Sequence, residues 1–467
     1  MKSIKLYNSF SNSMEKFAPL DEKNVRMYVC GPTVYASPHV GNARPLVVFD
    51  VLYRLLQRLY PKVVYVRNIT DVDDKITARS NAENISPKEL TSNVTEEFHK
   101  NLELLGILPV THEPLATEHI NEMLEIIERL INNGFAYEAS GHVLFSIKKM
   151  QNYGMLSKRT LDDMIAGSRV EVAAYKEDPM DFVLWKPSGE GDPVWESKYG
   201  RGRPGWHIEC STMSYKYLGE QFDIHGGGQD LLFPHHENEL AQNFGAFGCV
   251  MAKYWIHNGM LLVNGQKMSK SLGNIIALDE ILDKYNGEIV RYVLLSSHYQ
   301  KTLNWTDMAV EQSQRSLDKL YSALELSSGA ESEKIEENIE NEKSEVMDAL
   351  CENLNTPLAL KKLHKIADEI RKSDDQNEIN RRCNFLRREA KLLGLLLENR
   401  SCFRANYTDL DESEIAKFIA ERDEAKSQKD FLRADKIRNE LLSHGIRVED
   451  TRDGVVWKLV ADPRIKL

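Results

Sequence analysis

The segment from residue 25 to residue 67 constrains the fold most, because it switches between the two periodicities of regular secondary structure. Residues 25–30 form a short apolar run that a Gly-Pro pair ends. Apolar residues then recur at helical spacing over 42–59, and a second apolar run covers 63–67. A strand, a glycine-containing turn, a helix and a strand make a βαβ unit, which builds a parallel sheet. We therefore predict an α/β protein.

Length and composition indicate a multidomain globular protein. The 467 residues suggest about three domains of the usual size. Hydrophobic residues make up 42% and charged residues 28%, which are ordinary proportions. No apolar run approaches the ~18 residues that cross a bilayer, and the N-terminus lacks the apolar stretch of a secretory signal. We expect a cytoplasmic protein with no membrane segment.

Charge and cysteine content narrow the class further. Acidic side chains outnumber basic ones by 71 to 60, for a formal net charge of −11. This balance argues against indiscriminate nucleic-acid binding through overall positive charge, although a local basic groove remains compatible with it. Six cysteines are too few for a disulfide scaffold, so we expect free thiols, some of them candidate metal ligands.

Changes of pattern along the chain predict an α/β domain that an insertion interrupts. Proline and glycine become frequent over 179–204, and sheet-like sequence resumes at Trp206–Cys210 and Phe222–Ile224. After about Trp305 the chain is almost wholly helical, and its end carries a short hairpin with Asp453-Gly454 as the turn. The predicted boundaries are 1–115 and 206–255 for the two halves of the α/β domain, 116–205 for the insertion, 256–310 for a following region, 311–400 for a helical bundle and 401–467 for a small mixed α/β module.

Lys267-Met268-Ser269-Lys270-Ser271 is a basic loop that Gly265 and Gly273 flank. A lysine ammonium is a compact charge suited to phosphate oxygens. Two such cations on a glycine-bracketed loop could neutralise a polyphosphate as it leaves. The alternative is a solvated basic turn without a ligand.

His39-Val40-Gly41-Asn42 lies where the first predicted strand gives way to a helix. A helix N-terminus presents free N–H groups to anions, and Gly41 would let a ligand approach closely. His39 could donate to a phosphate oxygen. The alternative is that His39 and Asn42 only cap the helix, since Asn is a preferred cap.

With both segments present in this order, the sequence resembles the class I aminoacyl-tRNA synthetases. That family carries a His-x-Gly-His/Asn motif after the first strand of a Rossmann-like catalytic domain and a Lys-Met-Ser-Lys-Ser loop after the last. Asn42 departs from the more general His, but its amide still donates a hydrogen bond. The resemblance implies catalytic roles for His39, Asn42, Lys267 and Lys270, and ATP binding by Gly41, Gly227, Asp230 and Lys270.

Four scattered residues form a candidate zinc set. His235 and Glu239 are four apart, so a helix would place both on one face. Cys30 ends the first strand, and Cys210 ends the strand predicted from Trp206; strand ends of a parallel sheet converge on the binding crevice. Thiolate, imidazole and carboxylate are all zinc ligands. Two alternatives stay open on the residues alone: His236 could replace His235, and the cysteines could be small core residues.

Three longer motifs resemble the cysteinyl-tRNA synthetases over essentially the whole chain. They are Tyr28-Val29-Cys30-Gly31-Pro32-Thr33-Val34-Tyr35, Gly205-Trp206-His207-Ile208-Glu209-Cys210-Ser211 and Phe233-Pro234-His235-His236-Glu237-Asn238-Glu239. In that family they hold one zinc ion, so the resemblance implies the ligands Cys30, Cys210, His235 and Glu239. The zinc would bind the substrate thiolate, and serine would be a much weaker ligand.

The same resemblance implies the remaining site and its partners. It assigns Thr70, Trp206 and His225 to the substrate pocket, with plain core packing as the alternative for Trp206. It takes Gly226-Gly227-Gly228 as a loop under the nucleotide. It implies L-cysteine, ATP with Mg²⁺, and tRNA(Cys), whose anticodon would meet Trp457 in the C-terminal module, with Asp450 and Asp453 as weaker candidates. We expect a monomer.

Three rival functions fit parts of the sequence. A cysteine:amino-sugar ligase on the same catalytic half would form the same adenylate but lack the C-terminal module that ends near Trp457. A zinc hydrolase could use His235-His236-Glu237, although the spaced second His of metalloproteases is missing. A non-catalytic tRNA-binding homologue would not need both ATP segments.

Overall fold

The computed structural model describes residues 2–160, 173–328, 342–398, 410, 412–451 and 454–459. Its strands are β1 (Lys5–Asn8), β2 (Ser13–Lys16), β3 (Val25–Val29), β4 (Val63–Arg67), β5 (Ala136–Ala139), β6 (His142–Phe145), β7 (Phe182–Pro187), β8 (Gly202–Pro204), β9 (Phe222–Gly228), β10 (Ala252–Asn258), β11 (Leu261–Val263), β12 (Gln266–Lys267), β13 (Leu303–Trp305), β14 (Ile446–Thr451) and β15 (Gly454–Leu459). Its α-helices are α1 (Val40–Leu59), α2 (Asp74–Glu83), α3 (Pro87–Leu104), α4 (Ile120–Asn132), α5 (Trp206–Leu218), α6 (Glu237–Phe247), α7 (Leu278–Lys284), α8 (Gly287–Leu295), α9 (Asp307–Leu324), α10 (Glu345–Cys351), α11 (Thr356–Lys372), α12 (Gln376–Lys391), α13 (Glu412–Ser427) and α14 (Phe431–Ser443).

The central sheet has four parallel strands in the order β10-β9-β3-β4. Helix α1 connects β3 to β4, so the predicted βαβ unit and α/β class are confirmed. A Cβ on Gly226 of β9 would lie 2.3 Å from the Phe49 ring, so glycine there lets α1 pack onto the sheet. Because all four strands are parallel, their carboxyl ends open at one edge, where ligands bind in such sheets.

Residues 206–210 form the start of helix α5, so the prediction of a strand there is wrong. Helix α5 is buried along most of its length, including the polar Ser211 and Thr212. A helix that is buried on several sides shows no single apolar stripe, and a five-residue alternation cannot be told from a strand. Cys210 is therefore a helical residue.

Between α4 and α5 the chain builds a separate antiparallel sheet in the order β5-β6-β7-β8. Glu237, the first residue of α6, ties this region to the central domain. Its carboxylate accepts hydrogen bonds from the N–H groups of Gly154 at 3.0 Å and Ser157 at 2.7 Å. The predicted insertion thus corresponds to a layer of its own, and its exact boundaries stay predictions.

A small sheet in the order β12-β11-β13 follows the central sheet and carries the lysine-serine loop. β11 pairs parallel with β13 and antiparallel with β12. Lys267 is exposed on β12, at the start of the loop. The segment after the loop returns to the start of α1, where the Val40 N–H donates to the Ile276 carbonyl oxygen.

The chain beyond Trp305 is helical from α9 to α12, as predicted. Helices α13 and α14 and the hairpin β14–β15 form a small module with its own apolar cluster around Ile415, Leu441 and Ile446. Thr451 lies opposite Gly454, so Gly454 belongs to β15 and not to the turn. Asp453 lies outside the described residues. In the described part of the chain, none of the helices has both the length and the apolar character needed to cross a membrane.

Candidate active site

A cavity of about 410 Å³ opens at the carboxyl ends of the central strands. The predicted site residues that line it are Cys30, His39, Gly41, Asn42, Trp206 and Asp230, together with Met268 of the lysine-serine loop. Both predicted phosphate-handling segments therefore border one space. Thr70, Cys210, His225, His235 and Glu239 are buried and do not line the cavity.

His39 and Asn42 cap helix α1 and border the cavity at the same time. The Asn42 N–H donates to His39 Nδ1 over 3.3 Å, and the His39 N–H donates to Asn42 Oδ1 over 3.0 Å. His39 and Asn42 thus cap the helix, and their predicted role with phosphates stays a prediction. Burial lowers the pKa of His39, opposed in part by a backbone hydrogen bond and by the Asp230 carboxylate. His39 is therefore a neutral hydrogen-bonding group near neutral pH.

Gly41 is the point at which the two segments touch. A Cβ at this position would lie 2.6 Å from Met268 Cε and 3.0 Å from the His39 ring. Glycine therefore leaves the space into which the Met268 side chain packs. Gly41 was predicted to let a ligand approach closely. The group that approaches it in the structure is the Met268 side chain, which the sequence did not suggest.

The lysine-serine loop is held by its own side chains. Asn274 Oδ1 accepts from the Ser269 N–H over 2.9 Å, and Ser269 Oγ accepts from the Leu272 N–H over 3.3 Å. Gly265 and Gly273 have φ values of 77° and 61°, which strain other residues. The serines thus shape the backbone. The side chain of Lys270 lies outside the described part of the structure, so its predicted role stays a prediction.

The four predicted zinc ligands come together behind the cavity. One ligand atom from each of Cys30, Cys210, His235 and Glu239 can be chosen so that all lie within 4.8 Å of one another. The Cys30 thiol donates to Glu239 Oε1 over 3.3 Å, and His235 Nε2 lies 3.1 Å from the same oxygen. Cys30 follows β3, Cys210 lies on α5, and Glu239 lies on α6, so three elements fix the cluster.

A second set shares two members with the first. Cys30, His225, His236 and Glu239 satisfy the same 4.8 Å condition. Glu239 Oε2 lies 2.8 Å from His225 Nε2, whereas His236 Nε2 is 4.0 Å from the nearer Glu239 oxygen. These distances alone therefore do not decide whether His235 or His236 is the metal ligand. The first set is the better zinc site, because zinc favours thiolate sulfur and only this set has two thiols.

Electrostatics in the cluster follow from burial. Burial raises the pKa of the Cys30 and Cys210 thiols and lowers that of the His235 imidazole to about 3. Burial also opposes ionisation of Glu239, but the adjacent His225 and His235 rings outweigh it and hold the carboxyl pKa below its ordinary value. A neutral imidazole and an ionised carboxylate are the states that bind a metal.

Outer residues orient the histidines. His207 Nδ1 and His235 Nδ1 lie 2.9 Å apart, so they share a hydrogen bond that leaves His235 Nε2 facing Glu239. His236 Nδ1 is 2.8 Å from His257 Nε2. Trp206 stacks on His235 with the ring centroids 4.2 Å apart. Trp206 is also 39% exposed, so the alternative that it is a core residue is wrong.

The triple glycine at 226–228 lies within β9 and pairs with Ile256–Asn258 of β10. The prediction of a loop there is therefore wrong. A Cβ on Gly227 would lie 2.8 Å from the His236 ring, so this glycine accommodates a histidine of the second candidate set. Gly227 does not line the cavity, while Asp230, just beyond the strand, does. The predicted nucleotide contact at Gly227 stays a prediction.

Comparison with known proteins identifies the family. A model of the class I (C) tRNA synthetase catalytic domain matches residues 16–315, and a DALR domain model matches residues 345–398. The cysteine–tRNA ligase of Rhodospirillum rubrum is 49% identical over 463 residues, which cover 98% of this chain and 99% of that protein. The chain belongs to the cysteine–tRNA ligase family. The family prediction is thereby confirmed, and the hydrolase alternative is wrong.

Other members of the cysteine–tRNA ligase family match equally well. The enzyme of Gluconobacter oxydans is 50% identical over 458 residues, covering 97% of this chain and 98% of that protein. Among solved structures, methionyl-tRNA synthetase of Mycobacterium tuberculosis bound to methionyl-adenylate aligns with a TM-score of 0.54 at 15% identity. It covers 79% of this chain and 89% of that one. At this identity the likeness shows the class I synthetase fold alone.

Sequence reasoning missed a buried polar network beside the metal cluster of this cysteine–tRNA ligase family member. Asn68 Oδ1 accepts from the Tyr28 hydroxyl at 3.1 Å and from the Gly31 N–H at 2.9 Å. Asn68 Nδ2 donates to Thr70 Oγ1 at 3.1 Å, and Thr70 Oγ1 donates to Glu209 Oε2 at 2.8 Å. Thr70 thus lies inside the network. The position of Asn68 just after β4, at the edge where ligands bind, was the available signal.

The C-terminal candidates lie in the small module. Trp457 is half-buried on β15, opposite Val448, and packs on the module's apolar cluster. Asp450 accepts hydrogen bonds from Arg422 and Lys426, at 2.7 and 2.6 Å, so it is engaged within the module. A structural role for Trp457 is therefore supported, and its predicted contact with an anticodon base stays a prediction.

Proposed function

We propose that this chain activates L-cysteine with ATP to give cysteinyl-adenylate and pyrophosphate, and then transfers the cysteinyl group to the 3′ end of tRNA(Cys). One observation carries the proposal. Cys30 belongs both to the four-ligand cluster and to the lining of the cavity where His39–Asn42 meets the lysine-serine loop. The predicted sulfur-binding centre and the predicted polyphosphate-binding centre therefore border the same space, as the first step requires.

The buried donor set suits zinc. Two thiols, an imidazole and a carboxylate converge, and a hydrogen bond donated by His235 Nδ1 to His207 Nδ1 would leave His235 Nε2 free for coordination. Cys30, Cys210, His235 and Glu239 would hold the ion. When bound, zinc supplies a coordination position that a substrate thiolate takes far better than a serine hydroxyl. A bond that only the correct substrate can make yields large discrimination without an editing site.

Glu239 is the side chain that would yield its place on a bound zinc if the substrate thiolate took a coordination position. Its Oε2 already lies 2.8 Å from His225 Nε2, so His225 can retain the carboxylate once Oε1 moves away. Alternatively, the substrate thiolate would bind the zinc as a fifth ligand beside the four side chains. His225 acts in either case by holding Glu239, and Trp206, stacked on His235 beside the cavity, limits the space for the substrate.

Attack on the α-phosphate requires that the reacting groups are positioned and that the charge of the leaving pyrophosphate is neutralised. It forms no covalent intermediate with the enzyme. The carboxylate of cysteine attacks the α-phosphate in line, and pyrophosphate leaves with Mg²⁺. His39 and Asn42 donate to phosphate oxygens from the N-terminus of α1, where the helix dipole also favours anions. Lys267 and Lys270 neutralise the departing pyrophosphate.

Transfer completes the reaction, when a terminal ribose hydroxyl of tRNA attacks the adenylate. The C-terminal module would contact the anticodon through Trp457, where stacking on a base contributes roughly 1–3 kcal/mol. Trp457→Ala should then raise KM for tRNA by about tenfold and leave pyrophosphate exchange unchanged. Loss of exchange as well would show that Trp457 is purely structural.

The decisive assay is ATP–pyrophosphate exchange with cysteine and, separately, with serine, followed by transfer to tRNA(Cys). We expect exchange with cysteine alone and a cysteinyl ester on tRNA. Exchange without transfer to tRNA, but with transfer to an amino sugar, would favour the ligase alternative. Absence of cysteine-dependent exchange by zinc-loaded protein would refute the proposed function.

A further inference from the structure

A buried arginine joins helix α1 to the small sheet that carries the lysine-serine loop. Arg44 lies on α1 and is fully buried. Its Nη1 donates to the carbonyl oxygens of Gly259 and Met260, each over 2.7 Å. Its Nη2 donates to the carbonyl oxygens of His298 over 3.2 Å and Lys301 over 2.6 Å. One guanidinium therefore binds two separate chain segments to α1.

Those two segments are the entrances to β11 and β13. Gly259 and Met260 directly precede β11. Lys301 lies two residues before Leu303, the first residue of β13. β11 and β13 pair with each other, and β11 pairs with β12, on which Lys267 lies. The planar, forked guanidinium fixes the positions of its acceptors relative to one another. Arg44 thus holds the entrances of both strands against α1.

The far end of the loop returns to the start of the same helix. The Val40 N–H donates to the Ile276 carbonyl over 3.0 Å, and the Leu278 N–H donates to the Pro38 carbonyl over 2.8 Å. Between these two attachments the Met268 side chain packs at Gly41. The lysine-serine loop is therefore fastened at both ends to the part of α1 that presents His39 and Asn42.

Arg44 differs from Arg291, another fully buried arginine. Arg291 contacts the Asp50 carboxylate and the carbonyl oxygens of Leu393 and Leu105. Arg44 has carbonyl acceptors only, and burial alone lowers its pKa, to about 10. Burial of a cation without a counterion costs free energy. A gain in stability therefore does not account for the presence of Arg44 at this position.

We propose that Arg44 is a positioning residue for adenylate formation, which sets the distance between the His39–Asn42 segment and the Lys267–Ser271 loop. The inference rests on the proposed function, because adenylate formation is the step in which both segments act on ATP. Groups that stabilise one transition state must keep their mutual geometry, and a misplacement of about 1 Å can cost on the order of 10²-fold in rate.

The test compares Arg44→Lys with the matched control Arg291→Lys. An ammonium keeps the charge but has no fork, so it cannot bind both segments at once. We expect kcat for cysteine-dependent pyrophosphate exchange to fall about tenfold or more in Arg44→Lys, with KM for cysteine and the zinc content unchanged. Arg291→Lys should lower the unfolding temperature and leave kcat near the wild-type value.

Measurements are made below the unfolding transition of each variant, and Gly259→Ala provides a second disturbance of the same contact. A Cβ there would lie 2.7 Å from the Lys301 carbonyl oxygen. Wild-type kcat in a folded Arg44→Lys or in Gly259→Ala, or equal losses in Arg44→Lys and Arg291→Lys, would overturn the inference. A wild-type protein without cysteine-dependent exchange would overturn the proposed function, and the inference with it.

Discussion

The candidate zinc cluster (Cys30, Cys210, His235 and Glu239) and the lysine-serine loop border the same cavity but are built in opposite ways. The cluster takes buried residues from several elements and ties them by hydrogen bonds among Cys30, His225, His235 and Glu239. The loop is largely exposed, lies between two glycines with positive φ, and relies on local bonds of Ser269 and on its attachments to α1.

From this difference we infer that the cluster and the loop perform different tasks. Discrimination between a thiol and a hydroxyl through coordination requires ligands that cannot adjust to the wrong substrate, and burial within packed elements provides that rigidity. Neutralising a leaving group requires cations that can follow the charge as it moves, and a glycine-bracketed segment permits it. Changes in the cluster should therefore alter substrate choice, and changes in the loop should alter rate.

Cys210→Ser should have the largest effect, because it removes a thiolate ligand. We expect zinc binding to be lost, together with most of the discrimination between cysteine and serine, which such a bond can raise to about 10⁴-fold. Metal analysis and paired exchange assays measure both. Cys249→Ser is the matched control, since Cys249 lies outside both ligand sets. Full zinc occupancy in Cys210→Ser would contradict the assignment.

Lys270→Ala should lower kcat for pyrophosphate exchange by about 10²-fold, as removal of one transition-state donor usually does. KM for cysteine and the zinc content should stay unchanged, because the loop takes no part in coordination. Lys284→Ala, at the end of α7, is the control for loss of a nearby positive charge. A parallel loss of cysteine affinity in Lys270→Ala would break the separation between the two regions.

Gly41→Ala should reduce kcat by about tenfold, since small displacements of reacting groups are costly. The added methyl group would meet Met268 Cε at 2.6 Å and displace the loop. Stability should not fall, because alanine favours a helix over glycine by about 0.5–1 kcal/mol. The double variant Gly41→Ala/Met268→Ala lacks the Met268 side chain that the added methyl group would meet. We therefore expect it to regain part of the rate. An equal rate in single and double variants would show that the two residues act independently.

Tyr28→Phe should have the smallest effect and concerns the cluster only. It removes one hydrogen bond to Asn68, so we expect a loss of about 1 kcal/mol in unfolding free energy. Zinc affinity should fall by about tenfold, as it does when outer partners of a metal site are lost. Asn68→Ala should cost more, because Gly31 N–H loses its acceptor as well. Chelator competition and thermal unfolding measure the two effects, and unchanged zinc affinity in both variants would separate the network from the metal site.

Local patterns predicted the parts of the fold that depend on neighbouring residues. The βαβ unit and the helical sequence after Trp305 were both predicted, because hydrophobic period is a local property. The strand at 206–210 and the loop at 226–228 were predicted wrongly. In both places the neighbours in space, not in sequence, decide the conformation, since α5 is buried on several sides and β9 is paired on both.

The candidate site divides in the same way. Motif resemblance named Cys30, Cys210, His235 and Glu239, and the fold brings them together. Without the resemblance, the residues alone did not distinguish His235 from His236, and the structure shows that the two differ in their hydrogen-bond partners, His207 and His257. Arg44 carried no signal at all, because its four acceptors are backbone carbonyl oxygens, which every residue has.

The sequence by itself determined the family and the α/β class, and it named the candidate groups for binding sulfur and phosphate, because these depend on residue type and local spacing. Only the tertiary structure decided that Cys30 links the metal cluster to the cavity and that Met268 packs at Gly41. It also decided that Arg44 fastens the small sheet to α1. These contacts join segments that are distant in the chain, and local patterns contain no record of which distant segments meet.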